Sequence, residues 1–196
     1  MLTAWQTIKE ILVSEVLGDA AHLKANNQFF VFLRESDPSS VTPNIRLFGI
    51  PENSILIHAD NKLTEPCYLD DEGGMRKRCD YILLTKINGK DTVICLELKS
   101  TSFSKPEVIS QLKGADCLLE FLSAVAEKFK GCKLNFNPDK VARRYVLIYV
   151  PDKPTKFSKN MPQPRETHCQ PTRFFAYPAI RSGHPLHIKC ADLVNV

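Results

Sequence analysis

The sequence predicts an α/β fold in which a central mixed β-sheet is flanked by helices in the order αβββαβ. Three observations predict it. Asn88-Gly89 lies between two apolar runs, and this pair favours a tight β-hairpin because both loop positions of a type I′ turn need positive φ. A long amphipathic stretch follows, with the period of a helix that faces a core. Arg144–Val150 is then a continuous apolar run, which is typical of a strand in the middle of a sheet.

Length and composition favour a single domain that spans residues 1–196. The hydrophobic content of 43% and the charged content of 24% are ordinary for a globular protein with its own core. The seven cysteines are scattered singly, which favours a reducing compartment over a disulfide scaffold. The chain shows neither a signal-peptide core nor an apolar run of membrane-spanning length. We therefore expect a cytoplasmic protein without a membrane partner.

An N-terminal helix is predicted over about Thr3–Leu17, with an apolar stripe that includes Ile8. Glu15 lies about two turns after Ile8 and therefore falls on this stripe, whereas Glu10 lies on the opposite side. A carboxylate that faces a core is costly unless it is paired or bound to something. Glu15 is thus either a site residue or a side chain at the edge of the stripe that reaches water.

Short strands are predicted on both sides of the central hairpin. Gln28–Arg34 has the composition of a strand, and Ile45–Ile50 with Ser54–His58 could form a second hairpin. A Pro-rich basic loop at 151–171 is too long for a simple connection. It precedes late edge strands at 172–190, which have prolines beside them.

A polar loop or flap before the central hairpin ends in three consecutive cations, Arg76, Lys77 and Arg78. Beside an acidic site, such cations could hold a phosphodiester backbone. Together with Lys113 on the following helix, they are our candidates for nucleic-acid binding. A solvated basic turn is the alternative interpretation of the same residues.

The central hairpin brings two acids together. If Asn88-Gly89 are the two loop residues, the register puts Asp80 opposite Glu97. Lys99 points to the same face as Glu97, because alternate residues of a strand share a face. Two carboxylates about 5 Å apart repel each other in apolar surroundings, and Mg²⁺ or Mn²⁺ would relieve that repulsion. A loop of four or five residues would shift this pairing.

The helix after the hairpin has its own start and stop signals. Ser104 and Glu107 have capping-box spacing, and Gly131 ends the pattern. The predicted core-facing stripe consists of Val108, Leu112, Ala115, Leu119, Leu122, Ala126 and Phe129. Gln111 lies beside this stripe, about two turns into the helix.

Over roughly residues 3–150 the chain resembles the PD-(D/E)XK nuclease superfamily, which has the restriction-endonuclease-like fold. The resemblance is most specific over Arg78–Lys113, in the wording CDY…LELKS…Q. There Asp80 precedes Glu97-Leu98-Lys99 on a hairpin, and a helix follows directly. Cys79 stands where the family name has Pro, a position that varies in the superfamily.

The resemblance implies a metal-dependent nuclease that hydrolyses phosphodiester bonds, with DNA as the expected substrate. The Mg²⁺ or Mn²⁺ ligands that it implies are Glu15, Asp80, Glu97 and the backbone carbonyl of Leu98. Lys99 would position or activate the attacking water and stabilise charge on the phosphate. Gln111 would match the Gln or Lys that many members place on the following helix. Because this fold often cuts duplexes as a dimer, a homodimer or a partner protein is the expected assembly.

Other functions stay open at this point. A catalytically idle module of the same fold could bind nucleic acid or a partner protein in a defence or repair complex. A structural or inhibitory protein would use Pro151–Pro171 as its contact surface. Asp80, Glu97 and Lys99 could also form an ordinary surface salt-bridge cluster, which contributes little to stability. The apolar neighbours in VICLELKS argue against that last interpretation.

Overall fold

The computed structural model describes residues 2–18, 23–25, 28–34, 44–61, 66, 69–70, 72–100, 102–136, 140–151, 162–179 and 186–194. These residues form two α-helices, α1 (Leu2–Ile11) and α2 (Lys105–Lys130). Their strands are β1 (Leu23–Ala25), β2 (Gln28–Leu33), β3 (Ile45–Ile50), β4 (Ile55–His58), β5 (Tyr81–Ile87), β6 (Lys90–Lys99), β7 (Ala142–Tyr149), β8 (Phe175–Pro178) and β9 (Leu186–Lys189). Neither helix is long and apolar enough, within these residues, to cross a membrane.

The strands form two mixed sheets, so the chain is an α/β protein. The five-stranded sheet has the order β4-β5-β6-β7-β8, with β4, β5 and β6 antiparallel and β7 and β8 parallel to β6. The four-stranded sheet has the order β1-β2-β3-β9, in which β9 runs parallel to β3. Along the chain, β1–β3 come between α1 and β4, and β4–β6 are then followed by α2 and β7.

The two faces of the five-stranded sheet are covered by different layers. On one face, residues of α1 and α2 such as Ile8 and Leu112 share a buried cluster with Cys95 of β6. On the other face, residues of the four-stranded sheet such as Leu47 share a second cluster with Leu83. Both helices therefore lie on the same side of this sheet, and the four-stranded sheet covers its other side.

The central hairpin has the predicted turn and register. Asn88 and Gly89 have φ of 50° and 80°, in the left-handed region that a type I′ turn requires. Ile87 pairs with Lys90, and the ladder continues without a shift to the pair Tyr81–Leu96. The next two positions along this register are Asp80 and Glu97.

Helix α2 matches the prediction in extent but not in every detail. Ser104 is its N-cap and Gly131, with φ of 62°, closes it. The predicted capping box is wrong, because the Ser104 side chain makes no cap hydrogen bond and only its carbonyl accepts one, from Val108. The predicted stripe is buried except at its end, where Phe129 is 81% exposed.

Two predictions near the N-terminus are wrong. Helix α1 ends at Ile11, and the following turn leads to Leu17, which pairs with Ile57 at the edge of β4. β3 and β4 do not form a hairpin, because β3 pairs with β2 and β9 whereas β4 pairs with β5. A short turn at Pro51–Ser54 carries the chain from one sheet to the other.

The late strands terminate the sheets. β8 lies at one end of the five-stranded sheet and β9 at one end of the four-stranded sheet. Of the predicted Pro-rich loop at 151–171, residues 152–161 lie outside the described part of the chain. The rest includes a short 3-10 turn at Pro171–Arg173 that packs against α2.

Candidate functional site

Asp80 lies immediately before β5 and reaches across to β6. Its carboxylate Oδ2 accepts a hydrogen bond of 2.6 Å from the backbone N–H of Leu98, and its own carbonyl accepts one from Ala59. The residue is 7% exposed. The Asp80 side chain therefore takes the place of a backbone partner where the β5–β6 ladder ends.

Glu97 lies fully buried on β6, on the face that the helices cover. It pairs with Leu147 of β7, a member of the same buried cluster as Cys95. Its Oε1 is 2.8 Å from the Nζ of Lys99, so these two side chains lie on the same face of β6, as alternation along a strand predicts. Because the Glu97 side chain is only 1% exposed, an ordinary surface salt bridge does not describe this arrangement.

Lys99 carries its charge despite partial burial. Burial lowers the pKa of the Lys99 ammonium, but the charge and hydrogen bond of Glu97 and the charge of Asp80 outweigh it, so the pKa lies above its ordinary value. Lys99 is consequently protonated at neutral pH. It places one positive charge beside a buried carboxylate and close to a second one.

Cys79, at the position that precedes the acid, packs as a neutral thiol. Its burial, together with neighbouring Cys95 and the charges of Glu97 and Asp80, raises the pKa of the Cys79 thiol well above its ordinary value. Its Sγ lies 3.2 Å from the carbonyl of Tyr81. The six described cysteines are all free thiols.

A cleft of about 20 Å³ gives access to Asp80 from the edge of the sheet. It is lined by Arg34, His58, Asp60, Asp80 and Tyr81, and its size suits about one water molecule. Burial lowers the pKa of His58, whose ring packs 4.4 Å from that of Tyr81. Sequence reasoning missed Arg34, His58 and Asp60, since β4–β5 pairing and the contact between the two sheets bring them to Asp80.

The cationic flap is packed on α2 instead of being held out to solvent. Arg78 is 7% exposed, and its Nη1 donates to the carbonyls of Met75 and Lys77. Lys77 forms an ion pair of 3.4 Å with Glu107 on α2. At Gly114 a Cβ atom would lie 1.9 Å from the Lys77 carbonyl, so the flap depends on a glycine there.

These contacts show how accessible each of the predicted nucleic-acid-binding residues is. Arg78 is the least accessible of them, because it is 7% exposed and its Nη1 already donates to two backbone carbonyls. Arg76 and Lys77 are half-buried, and Lys113 is exposed on α2. Gln111, on the same helix, is half-buried, and its Oε1 is enclosed without a hydrogen-bond partner in the described part of the chain.

The position predicted for Glu15 is wrong. Because α1 ends earlier, Glu15 lies in an exposed turn, where its Oε2 accepts a hydrogen bond from Ser14. Hydrogen bonds from its own backbone N–H and from Ser14 lower the pKa of its carboxyl. Glu10 does not replace it, since Glu10 is exposed and pairs with Lys130 at 3.4 Å.

Among the described residues, no three His, Cys, Asp or Glu side chains form a group that could hold a metal ion. The metal ligands implied by the resemblance therefore reduce to two carboxylates and a backbone carbonyl.

Comparison of the chain with protein-family models, curated proteins and solved structures finds no match. The interpretation of the site therefore depends on its own residues and on the sheet that holds them.

The charges of the site are compatible with a divalent cation. Two acidic side chains, Asp80 and Glu97, face the single ammonium of Lys99, and both acids are withdrawn from water. Buried carboxylates are costly unless positive charge compensates them. Carboxylate oxygens are also the ligands that Mg²⁺ and Mn²⁺ prefer.

Proposed function

We propose that this protein is a metal-dependent nuclease with a restriction-endonuclease-like core, and that it hydrolyses phosphodiester bonds in nucleic acid, with DNA as the expected substrate. One observation carries the proposal. Asp80 and Glu97 occupy neighbouring positions where β5 meets β6, and the ammonium of Lys99 lies 2.8 Å from Glu97. This arrangement supplies two hard anionic ligands and one cation at the same end of a strand.

The metal would be held by Asp80 and Glu97 with help from the carbonyl of Leu98. The N–H of Leu98 points to Asp80. The N–H and C=O of one strand residue point to the same neighbouring strand, so the Leu98 carbonyl faces the same gap. When bound, such a cation neutralises phosphate charge and lowers the pKa of its water.

Lys99 would contribute through its position and its charge. The β6–β7 ladder fixes its backbone, where its carbonyl accepts a hydrogen bond of 3.2 Å from Val150. Its raised pKa keeps the ammonium protonated, so it can donate hydrogen bonds to a phosphate oxygen or to the attacking water. When substrate binds, Lys99 would exchange Glu97 for the phosphate as its partner. Substrate binding would therefore break this ion pair.

Two observations favour a second candidate function. The Lys99–Glu97 ion pair suits a catalytically idle module that binds nucleic acid or a partner protein, and so does the lack of a three-ligand metal group among the described residues. Such a module needs no metal, so metal dependence separates the two functions.

Cleavage of labelled DNA and RNA in Mg²⁺ or Mn²⁺ tests the nuclease. We expect Asp80→Asn, Glu97→Gln and Lys99→Met each to lower the cleavage rate at least about 100-fold, because each removes a group from the reacting centre. Asp91→Asn is the matched control, since Asp91 lies at the other end of β6 and pairs with Lys86. Cleavage that persists in all three site variants, or that disappears equally in the control, would refute the site.

A further inference from the structure

A groove of about 560 Å³ lies where the start of α2 meets the Pro171–Arg173 turn and β8. Three rings line it, those of Phe103, His168 and Phe174, together with the cations Lys105 and Arg173. No acid occurs among its described lining residues. Its volume falls in the range of small-ligand sites.

This groove opens on the same face of the five-stranded sheet as the candidate site. The ring of Phe103 packs edge-on against Tyr149 at 5.3 Å, and Tyr149 is the β7 partner of Lys99. Ala176, which lines the groove from β8, pairs with Leu147, and Leu147 is the β7 partner of Glu97. Adjacent strands are about 4.8 Å apart, so the groove begins about two strands from Lys99 and Glu97.

His168 gives the groove a hydrogen-bond donor beside its aromatic surface. Its Nδ1 accepts a hydrogen bond of 2.8 Å from the backbone N–H of Arg165, and its ring stacks on Phe175 at 5.3 Å. Burial and the positive charges of Arg165 and Arg144 lower the pKa of His168. A neutral imidazole whose Nδ1 is an acceptor carries its proton on Nε2. That N–H can therefore donate to a ligand.

We propose that this groove takes an unpaired nucleobase from the nucleic-acid strand whose phosphate lies at Lys99. The inference rests on the proposed nuclease function. Rings of Phe and His stack on base faces whatever the base, and cations on the rim hold the neighbouring phosphates. A base inside a duplex has both faces covered and its pairing edge occupied. The protein therefore prefers single-stranded or locally unpaired nucleic acid.

Binding of short labelled oligonucleotides in EDTA tests the groove without cleavage. We expect a single strand to bind more tightly than the matching duplex. Phe103→Ala should weaken single-strand binding about 5- to 150-fold, the range that corresponds to loss of one base–aromatic stack. Phe129→Ala is the matched control, because this phenylalanine is exposed at the other end of α2. It should bind like the wild type.

A second variant and two further probes sharpen the result. Arg173→Ala, at an exposed position, should reduce both affinity and its dependence on salt. Single strands with abasic residues should remove the difference between the wild type and Phe103→Ala, and free adenosine monophosphate should compete only weakly. Equal binding of single strand and duplex, or unchanged binding by Phe103→Ala, would overturn the proposal, as would competition by the free nucleotide at the affinity of the strand.

The same measurements separate this inference from the nuclease proposal. A protein that shows the expected binding pattern in EDTA but never cleaves supports the groove and refutes the nuclease. A protein that cleaves duplex and single strand alike, with the Phe103→Ala rate unchanged, supports the nuclease and refutes the groove.

Discussion

Lys99 remains charged because Glu97 lies 2.8 Å from its ammonium, and this makes its contribution to stability depend on pH. Its pKa is higher in the folded chain than in the unfolded chain, where it is about 10.4. Such a group stabilises the fold fully below the unfolded pKa and loses that effect as pH rises through the folded pKa. We expect Lys99→Met to cost roughly 2–3 kcal/mol near pH 8, since it leaves Glu97 without its cation. That cost should shrink above about pH 10.4.

Denaturant unfolding of the wild type and Lys99→Met between about pH 8 and 11 measures this cost. Lys90→Met, an exposed lysine at the start of the same strand, is the control and should cost little at any pH. A cost for Lys99→Met that stays constant through the alkaline range would contradict the ion pair as its cause.

Individual site residues could be predicted where local geometry decides their position. Asp80 and Glu97 were found because the Asn88-Gly89 loop sets a register that propagates along two strands. Glu15 was misplaced because α1 ends at Ile11 and the chain then turns to pair with β4, where the N–H of His58 donates to the carbonyl of Val16. Helical periodicity is a local pattern, so it cannot predict that this segment pairs with a strand far along the chain.

Arg78 shows that the sequence alone does not tell whether a charged side chain is accessible. Three consecutive cations suggest a phosphate-binding turn, but Arg78 is buried where the flap packs on α2, and its Nη1 donates to carbonyls of its own flap. A sequence records the charge of a side chain, whereas its availability depends on what the fold places over it.

At the scale of elements, strand pairing was predictable only within a hairpin. The β5–β6 pairing follows from two turn residues. β3 instead pairs in parallel with β9, from the far end of the chain, so two neighbouring apolar runs suggested a hairpin that does not exist. The second sheet, which covers one face of the first, was missed for the same reason.

The contact between the flap and α2 leads to an unusual expectation for a helix glycine. In a helix interior, replacing Gly by Ala normally stabilises by about 1 kcal/mol. At Gly114 the added Cβ would lie 1.9 Å from the backbone carbonyl of Lys77, so the flap must move away. We expect Gly114→Ala to destabilise by about 1–3 kcal/mol, the usual range for overpacking.

Thermal or denaturant unfolding checks this sign, with Ala124→Gly as the control at an exposed position of the same helix. The control should cost about 1 kcal/mol through helix propensity alone. If Gly114→Ala were as stable as the wild type or more so, the flap would not be packed as described.

At the scale of the whole molecule, the hydroxyl of Tyr81 joins the two sheets. It donates to the carbonyl of Arg34 at 2.6 Å and accepts from the Arg34 N–H at 2.9 Å. Tyr81→Phe removes the partner of both backbone groups, so we expect a loss of about 1–3 kcal/mol in the free energy of unfolding. The control is Tyr149→Phe, which removes a hydroxyl from β7 that forms no hydrogen bond with the described residues. Equal losses in both variants would argue against this link between the sheets.

The stability of the whole molecule also responds to ligands that bind only the folded chain. A metal held by Asp80 and Glu97 would stabilise the fold by RT ln(1 + [M]/Kd), which is about 2.7 kcal/mol at a concentration of 100 Kd. We expect Mn²⁺ to raise the Tm of the wild type and EDTA to reverse the shift. Asp80→Asn and Glu97→Gln should lose the shift, each being compared with itself in EDTA because either change can alter the starting stability. Asp91→Asn should keep it, since Asp91 is paired with Lys86 at the far end of the hairpin.

A shift of equal size in all four proteins would place the metal elsewhere. No shift in the wild type would favour the idle module, because the two buried carboxylates would then be compensated by the protein alone.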